Sequence, residues 1–165
     1  LAALVNNAGI VGQTAPVADI SHARLRQIFD VNVIGAILVA KEAAARMLPQ
    51  GKGVIVNLSS AAARLGSANQ YVDYAASKAA IDTFTKGLSD EIAPRGIRVM
   101  GVAPGLIDTE LHAKGGEPDR MERMGKIPPL RRPGTAREVA NAILWLMSEE
   151  ASYVTGSTLD VTGGR

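Results

Sequence analysis

Short apolar runs alternate along the chain with longer segments in which apolar residues recur at helical spacing. The short runs predict strands buried on both faces; they span Leu1 to Val5, Gly53 to Leu58, Ile97 to Val102 and Ser157 to Val161. The longer segments predict helices; they span Ala23 to Met47, Tyr71 to Ala93 and Thr135 to Met147. Strands that alternate with helices favour an α/β fold with a parallel sheet covered by helices on both sides.

Polar and special residues set the expected ends of these helices. Ser21 and Thr135 are of the residue types that cap helix N-termini. Asn32 and Gly35 interrupt the first helical pattern, so a short helix leading into a longer one is expected there. From Pro104 to about residue 134 the chain is rich in Gly and Pro and predicts an irregular segment.

Composition narrows the class of protein. The 165 residues suit one domain over 1–165, and 47% hydrophobic with 21% charged residues is typical of a globular chain. The net charge of +2 comes from scattered basic residues, which argues against a nucleic-acid partner. No cysteine is present, and His22 and His112 stand far apart, so neither disulfides nor a metal site is expected. No apolar run is long enough to cross a membrane, and a cytoplasmic location is expected.

Polar or turn-forming residues lie just after three of the predicted strands. They are the pairs Asn6-Asn7, Ser59-Ser60 and Pro104-Gly105. Ligands of parallel α/β sheets bind at the carboxyl ends of the strands. The three pairs are therefore expected at one site.

Tyr74 and Lys78 are four residues apart on a predicted helix, so they share one face. A nearby ammonium favours the phenolate, and we expect it to lower the pKa of Tyr74 towards neutrality, where the pair could move a proton. Taken alone, the spacing also fits an ordinary amphipathic helix with a surface lysine. Ser60 could bond a substrate oxygen or merely form a turn, and Asn32 could place a water or merely kink its helix.

Five motifs in this order resemble the short-chain dehydrogenase/reductase family over essentially the whole chain. They are NNAG at 6–9, VNVIG at 31–35, NLSS at 57–60, YAASK at 74–78 and VAPGLIDT at 102–109. The resemblance implies a Rossmann-type doubly wound parallel sheet and an oxidoreductase that uses NAD or NADP to interconvert a small-molecule alcohol and a ketone. It also implies a homo-oligomer, a dimer or tetramer, in the full-length protein.

The resemblance assigns roles to individual residues. Asn32, Ser60, Tyr74 and Lys78 match the family's catalytic tetrad. In it the tyrosine is the general acid/base, the serine orients the substrate oxygen, the lysine binds the nicotinamide ribose and lowers the tyrosine pKa, and the asparagine holds a relay water. The residues implied at the cofactor are Asn6, Ala8, Gly9, Tyr74, Lys78, Pro104, Gly105, Ile107 and Thr109. The segment from about 111 to 129 is implied to be a substrate lid.

The chain departs from the family pattern in three places. Thirteen residues separate Ser60 from Tyr74 where many members have twelve, so Ser59 competes with Ser60 for the catalytic role. Met100 stands where members usually have asparagine, which puts the local hydrogen bonding of that strand in doubt. The first strands and their glycine-rich turn are missing, so the chain is expected to be the C-terminal two-thirds of such an enzyme.

Two other interpretations stay open from the sequence. The chain could be a truncated, non-catalytic remnant that retains the oligomerisation helices at 33–48 and 71–93. It could also be an epimerase of the extended family acting on a sugar nucleotide, which NNAG and the short C-terminal part disfavour. Neither the substrate nor the preference for NAD or NADP can be assigned from these residues.

Overall fold

Parallel strands form the centre of the structure, a computed structural model that describes residues 1–165 apart from the side chains of His112 and Lys114. The strands are β1 (Ala3–Asn6), β2 (Gly53–Leu58), β3 (Ile97–Pro104), β4 (Ile107–Asp108), β5 (Gly134–Thr135) and β6 (Thr158–Val161). Four of them build the main sheet in the order β1-β2-β3-β6, and every neighbouring pair is parallel. β4 and β5 pair separately, also in parallel. The predicted parallel sheet is confirmed.

Helices cover both faces of this sheet. They are α1 (His22–Phe29), α2 (Ala36–Met47), α3 (Ala62–Leu65), α4 (Val72–Ile92), α5 (Glu110–Lys114), α6 (Arg120–Met124) and α7 (Ala136–Met147). On one face α2 and α4 pack against Ile55 and Val99. On the other face α7 packs against Val56 and Met100, the next residue along each strand. The alternation of side chains along a strand thus supplies two separate apolar cores from one continuous apolar run.

The predicted helix boundaries agree closely with the structure. Ser21 caps α1, its hydroxyl accepting a hydrogen bond from the Arg24 amide at 3.2 Å. Thr135 caps α7 in a reciprocal arrangement with Glu138. The predicted interruption around Asn32 is a π-helical turn, Asp30–Gly35, between α1 and α2. Such widened turns occur frequently at functional sites.

Two sequence expectations need correction. The segment after Pro104 is not wholly irregular, because it holds β4, α5, α6 and β5. The doubt about β3 at Met100 is also removed: Met100 pairs in register with Val56 and is fully buried. The strand continues without a break to Pro104, beyond the predicted end at Val102.

Two glycines meet at the amino ends of β2 and β3, opposite the strand ends described below. Gly51 and Gly96 each end a short 3-10 turn with positive φ, 62° and 80°. A Cβ on Gly96 would lie 2.1 Å from the Gly51 carbonyl oxygen. Only glycine fits at Gly96, because both its backbone conformation and this contact exclude a side chain.

β1 is an edge strand of the main sheet, paired only with β2. Among large apolar side chains near it, Leu1 and Val5 are 50% and 39% exposed. α2 also exposes apolar residues, with Ile34 just before it and with Leu38 and Val39 within it. Among the described residues no helix has both the length and the apolar character needed to cross a bilayer.

Candidate active site

A cavity of about 1000 Å³ opens at the carboxyl ends of the central strands. Its wall includes residues that follow each of three strands: Asn7 after β1, Ser59 and Ser60 after β2, and Pro104 and Gly105 at the end of β3. The three polar strand ends singled out in the sequence therefore border one space. This is the position where open parallel sheets bind ligands.

Tyr74 and Lys78 reach this cavity from the first turns of α4. Both are almost fully buried, with 8% and 5% of their surface exposed. The Lys78 Nζ atom donates a hydrogen bond to the Leu58 carbonyl at 2.8 Å and lies 5.8 Å from the centroid of the Tyr74 ring. The helical spacing of four residues thus places the two side chains together, one of them tied to the end of β2.

Burial dominates the electrostatics of this pair. It raises the pKa of the Tyr74 phenol above its usual value near 10, while the Ser60 hydroxyl beside it acts in the opposite direction. The expectation that Lys78 lowers the Tyr74 pKa towards neutrality is therefore wrong. Burial also lowers the pKa of Lys78 to about 8, with Asp82 opposing the change. Each group is pushed towards its neutral form because a charge loses its hydration inside the protein.

The two serines at the end of β2 have different environments. Ser59 is buried, and its hydroxyl donates to the Lys78 carbonyl at 3.1 Å, joining β2 to α4. Ser60 is partly exposed, and its oxygen accepts from the Ala62 amide at 3.1 Å. The Ser60 hydroxyl also lies beside the Tyr74 phenol. These positions favour Ser60 over Ser59 as the residue that meets a substrate oxygen.

Asn32 lies behind the cavity wall, 1% exposed, in the π-helical turn. Its amide nitrogen donates to the Ile10 carbonyl at 2.9 Å and to the Ser77 hydroxyl at 3.0 Å, and its oxygen accepts from the Ile10 amide at 2.8 Å. Both amide hydrogens are used. The side chain therefore fixes the loop after β1 against α4, beside Lys78.

The residues expected at the cofactor divide into two groups. Those that line the cavity are Gly9, Tyr74, Lys78, Pro104, Gly105, Ile107 and Thr109. Asn6 and Ala8 are not in its wall. Asn6 is buried behind it and donates to the Ala36 carbonyl at 2.8 Å and to Asn57 Oδ1 at 3.3 Å, which joins β1 to α2 and β2. Asn6 thus holds β1 to the neighbouring elements and does not reach the cavity.

Sequence reasoning missed several polar residues in the wall. They are Ser67, Gln70, Tyr71, Glu110, Arg120 and Arg165. Tyr71 had a signal, since it stands one helical turn before Tyr74, and the two rings meet edge to face at 5.7 Å. Arg120 had none, because it comes from the segment without a clear periodic pattern.

An ion pair next to Tyr74 also escaped the sequence analysis. Asp73 has a fully buried carboxylate, and Arg24 of α1 binds it with two hydrogen bonds of 2.7 and 2.9 Å. Arg24 donates as well to the Gln13 carbonyl at 2.6 Å. Because Asp73 directly precedes Tyr74, this pair anchors the start of α4 to α1 and to the loop after β1.

Comparison with known proteins places this chain in a family. Residues 1–165 match the family model described as enoyl-(acyl carrier protein) reductase. The chain is 54% identical to YgfF, an uncharacterized oxidoreductase of Escherichia coli (strain K12), over 100% of this chain and 68% of that protein. It is 40% identical to the 3-oxoacyl-[acyl-carrier-protein] reductase FabG of Aquifex aeolicus (strain VF5), over 98% of this chain and 64% of that one.

Solved structures agree with this similarity. The 3-ketoacyl-(acyl-carrier-protein) reductase of Brucella melitensis complexed with NADH superposes with a TM-score of 0.93 at 30% identity, over 100% of this chain and 67% of that one. NAD+-bound xylitol dehydrogenase superposes with a TM-score of 0.89 at 32% identity, over 99% of this chain and 68% of that one. The chain spans about two-thirds of the length of these relatives. It belongs to the short-chain dehydrogenase/reductase family of NAD(P)-dependent oxidoreductases.

Proposed function

We propose that this chain carries the proton-transfer site of an enzyme that interconverts an alcohol and a ketone with NAD or NADP. The observation that carries the proposal is the meeting of Ser60, Tyr74 and Lys78 at one cavity, at the carboxyl ends of β2 and β3. A phenol, a hydroxyl and an ammonium are the groups needed to bind an oxygen and exchange a proton with it.

The residues around Lys78 fit a nicotinamide cofactor. An ammonium has three N–H donors, and the Leu58 carbonyl accepts from one of them, so others remain for the hydroxyl groups of a ribose. Gly9 keeps this place open, because a Cβ there would lie 3.2 Å from Lys78 Nζ. When bound, the nicotinamide supplies or accepts the hydride. Lys78, Gly9 and the Pro104-Gly105 loop would hold its end of the cofactor in the cavity.

Tyr74 handles the proton. In the reduction, the carbonyl carbon gains a hydride, and the oxygen takes the hydroxyl proton of Tyr74, leaving a phenolate that solvent reprotonates. The oxidation runs the same steps in reverse. The oxygen of Ser60 already accepts from the Ala62 amide, so its hydroxyl hydrogen can point at the substrate oxygen and stabilise developing negative charge.

Substitution of Tyr74 in the full-length enzyme tests this role. We expect Tyr74→Phe to lose most of kcat while the cofactor Kd changes little, because only the proton-carrying oxygen is removed. Lys78→Ala should weaken both cofactor binding and rate. Cofactor affinity is followed by fluorescence titration and rate by absorbance of the reduced nicotinamide. Appreciable turnover by Tyr74→Phe would remove Tyr74 from the mechanism, and an unchanged Kd in Lys78→Ala would remove the ribose contact.

We also propose, as a second function, self-association through α2. The supporting observation is the exposure of Ile34, Leu38 and Val39, at 47%, 52% and 47%, on and beside α2. Clustered exposed apolar side chains of this kind mark protein–protein contacts more often than solvent-facing surface. A truncated protein without catalytic activity would still be able to self-associate in this way.

A further inference from the structure

The cavity has a second polar end, formed by the lid segment. Arg120, the first residue of α6, lines the cavity although only 5% of its surface is exposed. Its guanidinium lies over the Tyr71 ring, 5.1 Å from the centroid, and the Tyr71 ring in turn meets Tyr74. The cation is therefore one aromatic ring away from the proposed proton donor.

The hydrogen bonds of Arg120 are incomplete. One terminal nitrogen donates to Glu117 at 2.7 Å, and the other donates to Gln70 Oε1 at 2.9 Å. The Nε–H is buried and has no acceptor. Among the side chains that the structure describes, it is the one buried nitrogen or oxygen without a hydrogen-bond partner. A buried donor without an acceptor costs free energy, so an oxygen that completed this guanidinium would be bound favourably.

Gln70 occupies the place that such an oxygen would take. It also lines the cavity, and its amide oxygen is a neutral acceptor on the Nη2 side of the guanidinium. A carboxylate or phosphate that displaced the Gln70 amide would accept from Nη2 and, after a small rotation of the side chain, from Nε. Paired bonds from arginine to an anion are stronger than bonds to a neutral amide.

The charges around this end of the cavity also favour an anion. The Glu117 carboxylate that pairs with Arg120 also accepts hydrogen bonds from the Thr14 hydroxyl and, at 3.0 Å, from Arg123. Glu117 is not in the cavity wall. Arg165 adds a second guanidinium to the wall, close enough to influence Tyr71. The wall thus holds the cations Lys78, Arg120 and Arg165 against one described carboxylate, that of Glu110.

We infer that Arg120 recognises an anionic group on the substrate, a carboxylate or a phosphate, while the alcohol or ketone carbon lies at Tyr74. This inference rests on the proposed function for the identity of the reacting end. It makes the substrate class a hydroxy or oxo acid, or a phosphate ester of comparable length, and Arg120 a specificity-determining residue.

The test measures binding without turnover. Full-length enzyme, with and without saturating reduced cofactor, is titrated by calorimetry with dicarboxylates from malonate to adipate, with their diamides and with 3-phosphonopropanoate. We expect at least one anion to bind ten-fold or more tightly than its diamide, and Arg120→Gln to abolish the difference. A tighter phosphonate would assign the site to phosphate, a tighter dicarboxylate to carboxylate.

The matched control is Lys126→Gln, which removes the same charge from an exposed position of the same segment outside the cavity wall. It should retain the discrimination. Equal binding of anions and diamides by the wild type, absence of binding by every anion, or discrimination that survives Arg120→Gln would overturn the inference. Failure of hydride transfer alone would instead contradict the proposed reaction, since anion binding is measured without it.

Discussion

The two adjacent serines at the end of β2 have different surroundings. The buried Ser59 hydroxyl donates to the Lys78 carbonyl. The Ser60 hydroxyl accepts from the Ala62 amide and lies beside the Tyr74 phenol. Neighbours on a strand end point in different directions, so adjacent identical residues can have unrelated functions.

The serine pair yields a prediction with an internal control. Ser60→Ala in the full-length enzyme should lower kcat by roughly 10²–10³-fold, as loss of an oxyanion donor does, with little change in melting temperature. Ser59→Ala should lower the free energy of unfolding by about 1 kcal/mol through the lost buried hydrogen bond and leave kcat within a few-fold. Steady-state kinetics and thermal unfolding of both variants check this. The reverse pattern would make Ser59 the catalytic hydroxyl.

The raised pKa of Tyr74 predicts an asymmetry between the two directions of reaction. A phenol whose pKa lies above its usual value stays protonated through the neutral range, so it is ready as the acid that reduction needs. Oxidation needs the phenolate, whose fraction grows about tenfold per pH unit below the pKa. We expect kcat/KM for reduction to be flat from about pH 6 to 8 and kcat/KM for oxidation to rise over the same range. An oxidation rate that falls as pH rises would contradict this.

Sequence reasoning placed Tyr74 and Lys78 together but did not predict their electrostatics. The spacing of Tyr74 and Lys78 was enough to place them on one helix face, because helical geometry fixes it. The direction of the Tyr74 pKa depends on burial by the surrounding chain, which no local pattern encodes. Arg120 was missed for the same reason, since its place in the wall is set by contacts with Tyr71 and Gln70, fifty residues earlier in the chain.

At the scale of elements, periodic segments were predicted well and the segment after β3 was not. β2 matches its predicted bounds, and α4 runs from Val72 to Ile92 against a prediction of Tyr71 to Ala93. β4 and β5 are two residues each and exist because they pair with one another across the segment 109–133. Such elements have no local signal, because long-range contacts create them.

Two glycines of α4 and its C-terminal turn should respond in opposite ways to alanine. Gly87 is exposed within the helix, and a methyl group there would meet no other atom within 4 Å, so Gly87→Ala should stabilise the protein by about 0.5–1 kcal/mol. Gly96→Ala forces an unfavourable φ and a clash with the Gly51 carbonyl, so it should destabilise by at least about 2 kcal/mol. Denaturant unfolding of both variants tests the pair. Similar changes in the free energy of unfolding for the two variants would mean that the Gly96 contact does not restrict the residue at that position.

At the scale of the whole molecule, exposed apolar side chains are spread along the chain and include Val5 of β1 and Leu38 and Val39 of α2. β1 has one free edge in the described sheet, and edges of this kind pair readily with other chains. We expect residues 1–165 expressed alone to self-associate at micromolar concentration. Leu38→Lys should reduce the association if α2 forms the contact, whereas Val17→Lys, at a more exposed position on a separate turn, should not. Light scattering after size exclusion measures the mass, and a monodisperse monomer for the wild type would refute the expectation.

The contact between Gly51 and Gly96 lies at the end of the sheet opposite the cavity. Substitutions at this contact are expected to destabilise the fold. The two glycines are in close contact at the amino ends of β2 and β3, and neither residue borders the cavity. Substitutions at these two glycines are therefore expected to change the free energy of unfolding without altering a residue that lines the cavity. Conversely, the cavity wall can be redesigned with both glycines kept in place.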